Sequence, residues 1–434
     1  MRGLIPPRGK GLSIWDRFTH SSGKIPGNAT GDTAADSYHK YPDDVKCIQQ
    51  LGAKHFKLQL SWSRLQPTGT GNLNAKAVEH YNGVINAYRD AGVHLMVELY
   101  HWDLPQTLQD IGGWLNPDII QTFKNYSDQC FETFGTKVTQ WITFHDPYTF
   151  VYGGYGRTDM APGIGGPAES VYKAAVNVLQ SHAAVFRLYK TVYETTQRGR
   201  VGITLQSNWY ETGDNTSRDR GLQFDIGMWA HPLFYGTWPE EMKPFTTKFS
   251  LTSPYAVQGT LDFLELLYVG TMYAKPVARI EQPFSSFDND KGLQIYEYRS
   301  DPETASGIRK VLKWVNDHYP GKEMYIAGYL GRPRTGRNSL EDSENVMWYQ
   351  THINQVLKDP NLPRIPKLSS HYYKQLIIDN GFVPGYPGIG GLSTAPSEQT
   401  NDILYERFPD DFMFITGTSA YQVEGGWNKD GKLR

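Results

Sequence analysis

The chain has 434 residues, with 43 Lys+Arg against 45 Asp+Glu and a formal net charge of −2. That length can bury a large core, in one big α/β domain or in two to three smaller ones. The near-neutral balance, without a Lys/Arg run, excludes nucleic acid or an anionic membrane recruited by a general field, and the 13% aromatic content excludes a disordered chain.

Met1 to Lys10 has no apolar core region, so no secretory signal is legible there. No apolar stretch reaches the roughly 18–20 residues a membrane helix needs. Strand-like runs then follow in order: Lys54 to Trp62, His94 to Trp102, Val138 to His145, Arg200 to Trp209, Thr260 to Gly270, Glu323 to Leu330 and Asp411 to Tyr421. Between them lie segments of helical spacing at Ala75–Ala91, Asn116–Phe134, Ala168–Arg198, Thr304–Tyr319 and Glu344–Leu357. Repeated β-then-α units predict a parallel sheet, and seven of them approach a closed TIM-type (β/α)8 barrel. A doubly wound sheet is the runner-up, but no G-x-G-x-x-G follows the first strand. Gly, Pro and Ser crowd Asp379 to Arg407 without periodicity, which predicts a linker. The expected division is a barrel over 1–380, a linker over 381–407 and a strand segment over 408–434.

Cys47 and Cys130 lack the spacing of a disulfide framework or a metal site. Both fall in amphipathic helical patterns, which predicts two buried thiols acting as small hydrophobes. Three N-x-S/T sequons, at Asn28, Asn125 and Asn215, weakly suggest a secretory ancestry.

The motifs themselves resemble glycoside hydrolase family 1, in its animal lactase, lactase-like and klotho branch. L-S-W-S-R-L-Q-P-T-G from Leu60, Y-H-W-D-L-P-Q from Tyr100 and W-I-T-F-H-D-P from Trp141 are similar to that family's second, third and fourth strand ends. Gly11 to His20, Gln223 to Met242 and Pro366 to Phe382 resemble further family segments. Phe408 to Lys432 resembles the family's first strand, yet it stands last here. Two origins fit that order: a circular permutant, or one period cut from a tandem array of such domains. Cutting a barrel at a surface loop is physically tolerated.

The resemblance implies a retaining glycosidase, which needs two carboxyl groups about 5–5.5 Å apart. The family's acid/base Glu of T-F-N-E-P corresponds to Asp146, one methylene shorter, which withdraws the carboxyl by roughly 1 Å; misplacement on that scale can cost about 100-fold in rate. The nucleophilic Glu of I-T-E-N-G corresponds to Gly328, which has no side chain to attack with. The family's Arg beside the nucleophile is Lys57, without the planar fork. Its orienting Tyr is Val269, and the Asn that holds the sugar 2-hydroxyl is His145. Glu341 and Glu344 read as solvated helix-start residues, and Glu424 as a structural acid. The eighth strand should lie before Pro366, but Lys358 to Ile365 carries two prolines and cannot be a central strand. A barrel lacking its eighth strand is therefore expected.

Gln422, His101 and Trp102 match family positions that contact the sugar, and barrel-top packing is the competing reading of all three. Three functions follow from these residues. One is an inactive family-1 barrel that binds a glycan or a protein partner, or serves structurally. Another is a β-glucosidase with impaired chemistry through Asp146 and a water. The last is a fragment of a tandem-domain protein. No metal or other cofactor is expected.

Overall fold

The computed structural model describes residues 9–248, 254–280, 286–300, 302–328 and 415–417. Within them a curled sheet of mostly parallel strands forms a partial (β/α)8 barrel. The strands are β1 (His55–Gln59), β2 (His94–Glu98), β3 (Gln140–His145), β4 (Arg200–Glu211), β5 (Phe263–Pro276), β6 (Leu293–Arg299), β7 (Glu323–Gly328) and β8 (Ile415–Gly417). Their order is β6-β5-β4-β3-β2-β1-β8, and β7 pairs with β5. Six of the seven neighbouring pairs are parallel; β6 alone runs antiparallel, folding back on the long upper half of β5.

β8 lies parallel to β1, with Ile415 opposite His55 and Gly417 opposite Lys57. Ile415–Gly417 of the C-terminal strand run thus pairs at the edge where the resemblance places the family's first strand. The linker at 381–407, most of the 408–434 segment and the proline-bearing 358–365 stretch lie outside the described residues, as does the helix expected over Glu344–Leu357.

The helices follow their sequence patterns. α1 spans Ser37–Leu51, and α2 spans Ala75–Asp90, opened by the Asn74 side chain accepting from the Lys76 amide. α3 (Ile119–Phe134) buries Ile119, Phe123, Tyr126, Cys130, Phe131 and Phe134, one face at a 3.6-residue period. α4 is the short Pro147–Val151 turn that follows β3, and α5 spans Ala168–Leu188. The helix expected to run on to Arg198 does so: after Leu188 it passes through a π-helical turn over Tyr189–Tyr193 and an α turn over Glu194–Gln197, and Arg198 ends it at φ 53°. α6 occupies Ser306–His318. The two cysteines differ, contrary to the expectation: Cys130 is buried in α3, whereas Cys47 is exposed on α1. Helical periodicity alone did not settle which turn of α1 faces the sheet.

An aromatic cluster joins the sheet to α3. Phe123 stacks on Phe144 at 4.6 Å, Trp62 stacks on Tyr126 at 4.9 Å, and the Trp114 indole donates to the Tyr100 hydroxyl at 3.1 Å. Phe144 points outward to this cluster and the next residue, His145, points inward, as successive side chains of a strand alternate; Thr143 also turns to the helix layer, its hydroxyl 2.7 Å from His182 Nδ1, because the strand register shifts between Ile142 and His145. Packing on one face thus fixes which side chains reach the barrel interior on the other. Truncating the centre of this cluster, Phe123→Ala, should lower stability by about 3–5 kcal/mol in urea unfolding with a native-like slope, since it removes a fully buried ring without changing the sheet.

Candidate functional site

Six inward-facing groups carried by five neighbouring strands and their ends meet inside the barrel. Lys57 of β1 sends its ammonium to Glu98 Oε1 of β2 at 2.7 Å and to Glu265 Oε2 of β5 at 2.8 Å. His145, the last residue of β3, sets its Nδ1 2.8 Å from the same Glu98 Oε1. His101, three residues beyond Glu98, sets its Nδ1 3.0 Å from Glu98 Oε2. The Thr204 hydroxyl of β4 donates to Glu265 Oε2. Lys57, Glu98 and Glu265 are 1%, 0% and 3% exposed, so this is an ion cluster removed from water.

Burial opposes the charge on both partners, and the attraction between them overrides it. Burial would raise the Glu98 carboxyl, but the Lys57 charge and the hydrogen bonds from His101 and His145 hold it well below the usual carboxylate range. Burial would lower Lys57, but the two glutamates hold its ammonium above the usual lysine range. His145 shifts the other way: burial, with His101 next, pushes it down to about 3, so it is a neutral imidazole. His101 and His145 stack in parallel, 3.9 Å between ring centres and 9° between planes.

Glu98, His101 and His145 hold one ligating atom each within 4.8 Å of one another, the donor set of a divalent-metal site. The residues do not fit that use well. The Lys57 ammonium already stands at the carboxylate, and parallel stacked rings cannot both aim an in-plane lone pair at one ion.

Trp102 and Asp146 flank the cluster, and both have left-handed backbone, φ 73° and 44°. For non-glycine residues this strain persists only where surroundings enforce it. The Trp102 indole donates to the His145 carbonyl at 2.7 Å. Asp146 donates its amide to the Thr204 carbonyl at 2.9 Å. Its carboxylate turns back to accept the Thr149 amide at 3.1 Å, capping α4. It is 2% exposed, and burial, with Asp225 adding to it, pushes its pKa up to about 7. A further buried cluster lies close by, with Lys291 Nζ bonding Asp225 Oδ1 at 2.7 Å and the hydroxyls of Tyr210 and Tyr148 at 2.9 and 3.2 Å.

The structure therefore brings His101, Trp102, His145 and Asp146 together at one end of the barrel. Gly328 is the last described residue of β7, paired with Tyr268 of β5. Gln422 lies outside the described residues. Glu98 and Glu265 went unnoticed in the sequence. Their signal was there: a single Glu inside M-V-E-L-Y and another inside F-L-E-L-L, each an acid in an otherwise apolar strand.

A family model described as glycosyl hydrolase family 1 matches residues 3–365 and 404–434. Human lactase/phlorizin hydrolase is 33% identical over 501 residues, covering 100% of this chain and 25% of that protein. The chain thus spans about a quarter of that relative's length. Human lactase-like protein is 32% identical over 444 residues, covering 86% of this chain and 78% of that one. Among solved structures, a rice β-glucosidase superposes with a TM-score of 0.77 at 27% identity, covering 82% of this chain and 84% of that chain. A family 1 β-glucosidase of Thermotoga maritima gives a TM-score of 0.72 at 28% identity, covering 82% of each chain.

Two outcomes are expected of this geometry. Lys57→Met should cost about 3–5 kcal/mol in chemical unfolding, because two buried carboxylates lose their shared cation; adding Glu98→Gln to it should return part of the loss. Asp146 is raised in the folded chain to about 7, against about 3.9 unfolded, so the folded state binds the extra proton between those values. Its contribution to stability is therefore full below about pH 4 and lost as pH rises through about 7. The stability difference between wild type and Asp146→Asn, measured across that range, should change in that direction.

Proposed function

The chain belongs to glycosyl hydrolase family 1, and on that premise we propose that it binds β-glycosides at the barrel mouth without turning them over at an enzymatic rate. The observation that carries this reading is Gly328 in β7, at the position that the family's I-T-E-N-G motif gives to its attacking carboxylate. Double displacement has no first step without that group.

The nearby acids do not supply it. Glu265 precedes Tyr268, the partner of Gly328, by three residues along β5, which places it roughly 10 Å deeper at about 3.3 Å per residue. Glu98 and Glu265 share the single Lys57 ammonium, and that pairing weakens each as a nucleophile. Asp146, in the acid/base position, spends its carboxylate on the Thr149 amide. What remains is the equipment for holding a sugar: Trp102 as an apolar platform, with His101 and His145 as polar contacts. Lactase/phlorizin hydrolase and the β-glucosidases named above carry glycoside chemistry in their names, which supports a β-glycoside as the ligand class.

A weakly active β-glucosidase is the second reading, and one observation favours it. A carboxyl pushed up to about 7 has the pKa of a general acid at neutral pH. Release of 4-nitrophenol from its β-glucoside separates the two. Wild type should show no turnover at a rate typical of enzymes, Asp146→Asn should not differ from it, and Gly328→Glu should recover little, since Asp146 stays short and turned away. Robust wild-type turnover that vanishes in Asp146→Asn would overturn the inactive reading. Calorimetry with cellobiose and phenyl β-glucoside should show binding that weakens in Trp102→Ala, and no binding of either would overturn the glycan reading.

A further inference from the structure

We infer that Glu98 is a positioning residue: it fixes both imidazoles at the barrel mouth with Nδ1–H turned into the barrel, so that His145 meets a ligand as a hydrogen-bond acceptor and the site selects neutral, hydroxyl-rich glycosides over anionic ones. The assignment of a glycoside as ligand rests on the proposed function. The role of Glu98 does not.

The argument is one of donors and acceptors. An ionised carboxylate only accepts hydrogen bonds. Glu98 has Lys57 Nζ at 2.7 Å and His145 Nδ1 at 2.8 Å on Oε1, with His101 Nδ1 at 3.0 Å on Oε2. Nδ1 of each ring must therefore carry the proton, since two lone pairs held at these distances would repel. His145 Nδ1 also lies 3.3 Å from Lys57 Nζ, a longer approach to a group that can only donate. The shorter contact, to the anion, decides the tautomer. One carboxylate thus sets two rings at once, which also accounts for their parallel stacking 3.9 Å apart.

The consequence for His145 follows from the shape of imidazole. Its burial keeps the ring neutral, so with Nδ1 protonated Nε2 is a bare acceptor. Nε2 lies on the far side of the ring from Nδ1 and so turns away from Glu98. Such a nitrogen accepts from a sugar hydroxyl and offers a carboxylate nothing. Glu98 and Glu265 beneath it add negative charge that an anionic ligand would have to approach. A lone imidazole without Glu98 would be free to exchange tautomers and to serve either partner. The backbone supports the same arrangement, because the Trp102 indole ties down the His145 carbonyl at 2.7 Å.

Long-range proton–nitrogen correlation of the side-chain imidazoles tests the tautomer directly, with His101→Asn and His145→Asn spectra giving the assignments. Wild type should show a protonated, pyrrole-type Nδ1 in both rings and a pyridine-type Nε2 in His145. A pyridine-type Nδ1 in His145 would overturn the inference, whatever any variant does. In Glu98→Gln the side-chain amide offers one acceptor oxygen and one donating nitrogen, so at least one ring should switch tautomer. Unchanged ring spectra in a folded Glu98→Gln protein would also overturn it. For binding, phenyl β-glucoside should be held at least about tenfold more tightly than phenyl β-glucuronide, and Glu98→Gln should narrow that gap. Equal or tighter binding of the glucuronide to wild type would overturn the selectivity. Correct ring spectra with neither glycoside bound would overturn the glycan reading and leave the positioning role of Glu98 standing.

Discussion

One ammonium group organises the interior of this barrel. Lys57 lies between Glu98 and Glu265 and so ties β1 to β2 and, across the barrel, to β5. A buried carboxylate without its cation is expensive, whereas a well-packed apolar trio of similar volume would often be no less stable. The cluster therefore constrains more than it stabilises. Once Lys57 and Glu98 are paired, the two free corners of Glu98 dictate where the imidazoles of His101 and His145 can donate.

This constraint bears on how a glycosidase scaffold parts from glycosidase chemistry. On the proposed reading, Gly328 in place of the attacking carboxylate removes the first covalent step. The remaining members of the site have acquired other work. Asp146 caps α4, and Lys57 bridges two acids that lie deeper than the strand ends. A chain that had only lost a nucleophile would leave its other groups poised around an empty position. Here they bond to one another and to the backbone.

The elements that frame the site also have separable causes. The aromatic cluster of Trp62, Trp114, Phe123 and Phe144 lies on the helix side of the sheet, and the ions lie on the barrel side. Strand alternation links the two, since fixing Phe144 outward places His145 inward. The antiparallel β6, unlike the other strands, serves the upper half of β5 rather than the barrel wall. It carries no member of the ion cluster, and the site owes it nothing directly.

Much of this protein was legible in the residues themselves. Alternating β and α segments gave a barrel, and F-H-D-P and Y-H-W-D-L-P located two strand ends correctly, because short-range pattern and local propensity act within a few residues. The same patterns misjudged Cys47 and passed over β6, since each depends on which neighbour covers a face rather than on local spacing. The substitution at Gly328 was visible by position alone. Its partner Tyr268, the reversal of Asp146 onto Thr149 and the meeting of Lys57, Glu98 and Glu265 were not. Those three charges are separated by up to 208 positions in the chain, and only the closure of strands side by side brings them within hydrogen-bond reach. Composition and order fixed the architecture; the curling of the sheet decided which charges had to satisfy one another, because a buried charge takes its partner from whatever the fold places beside it.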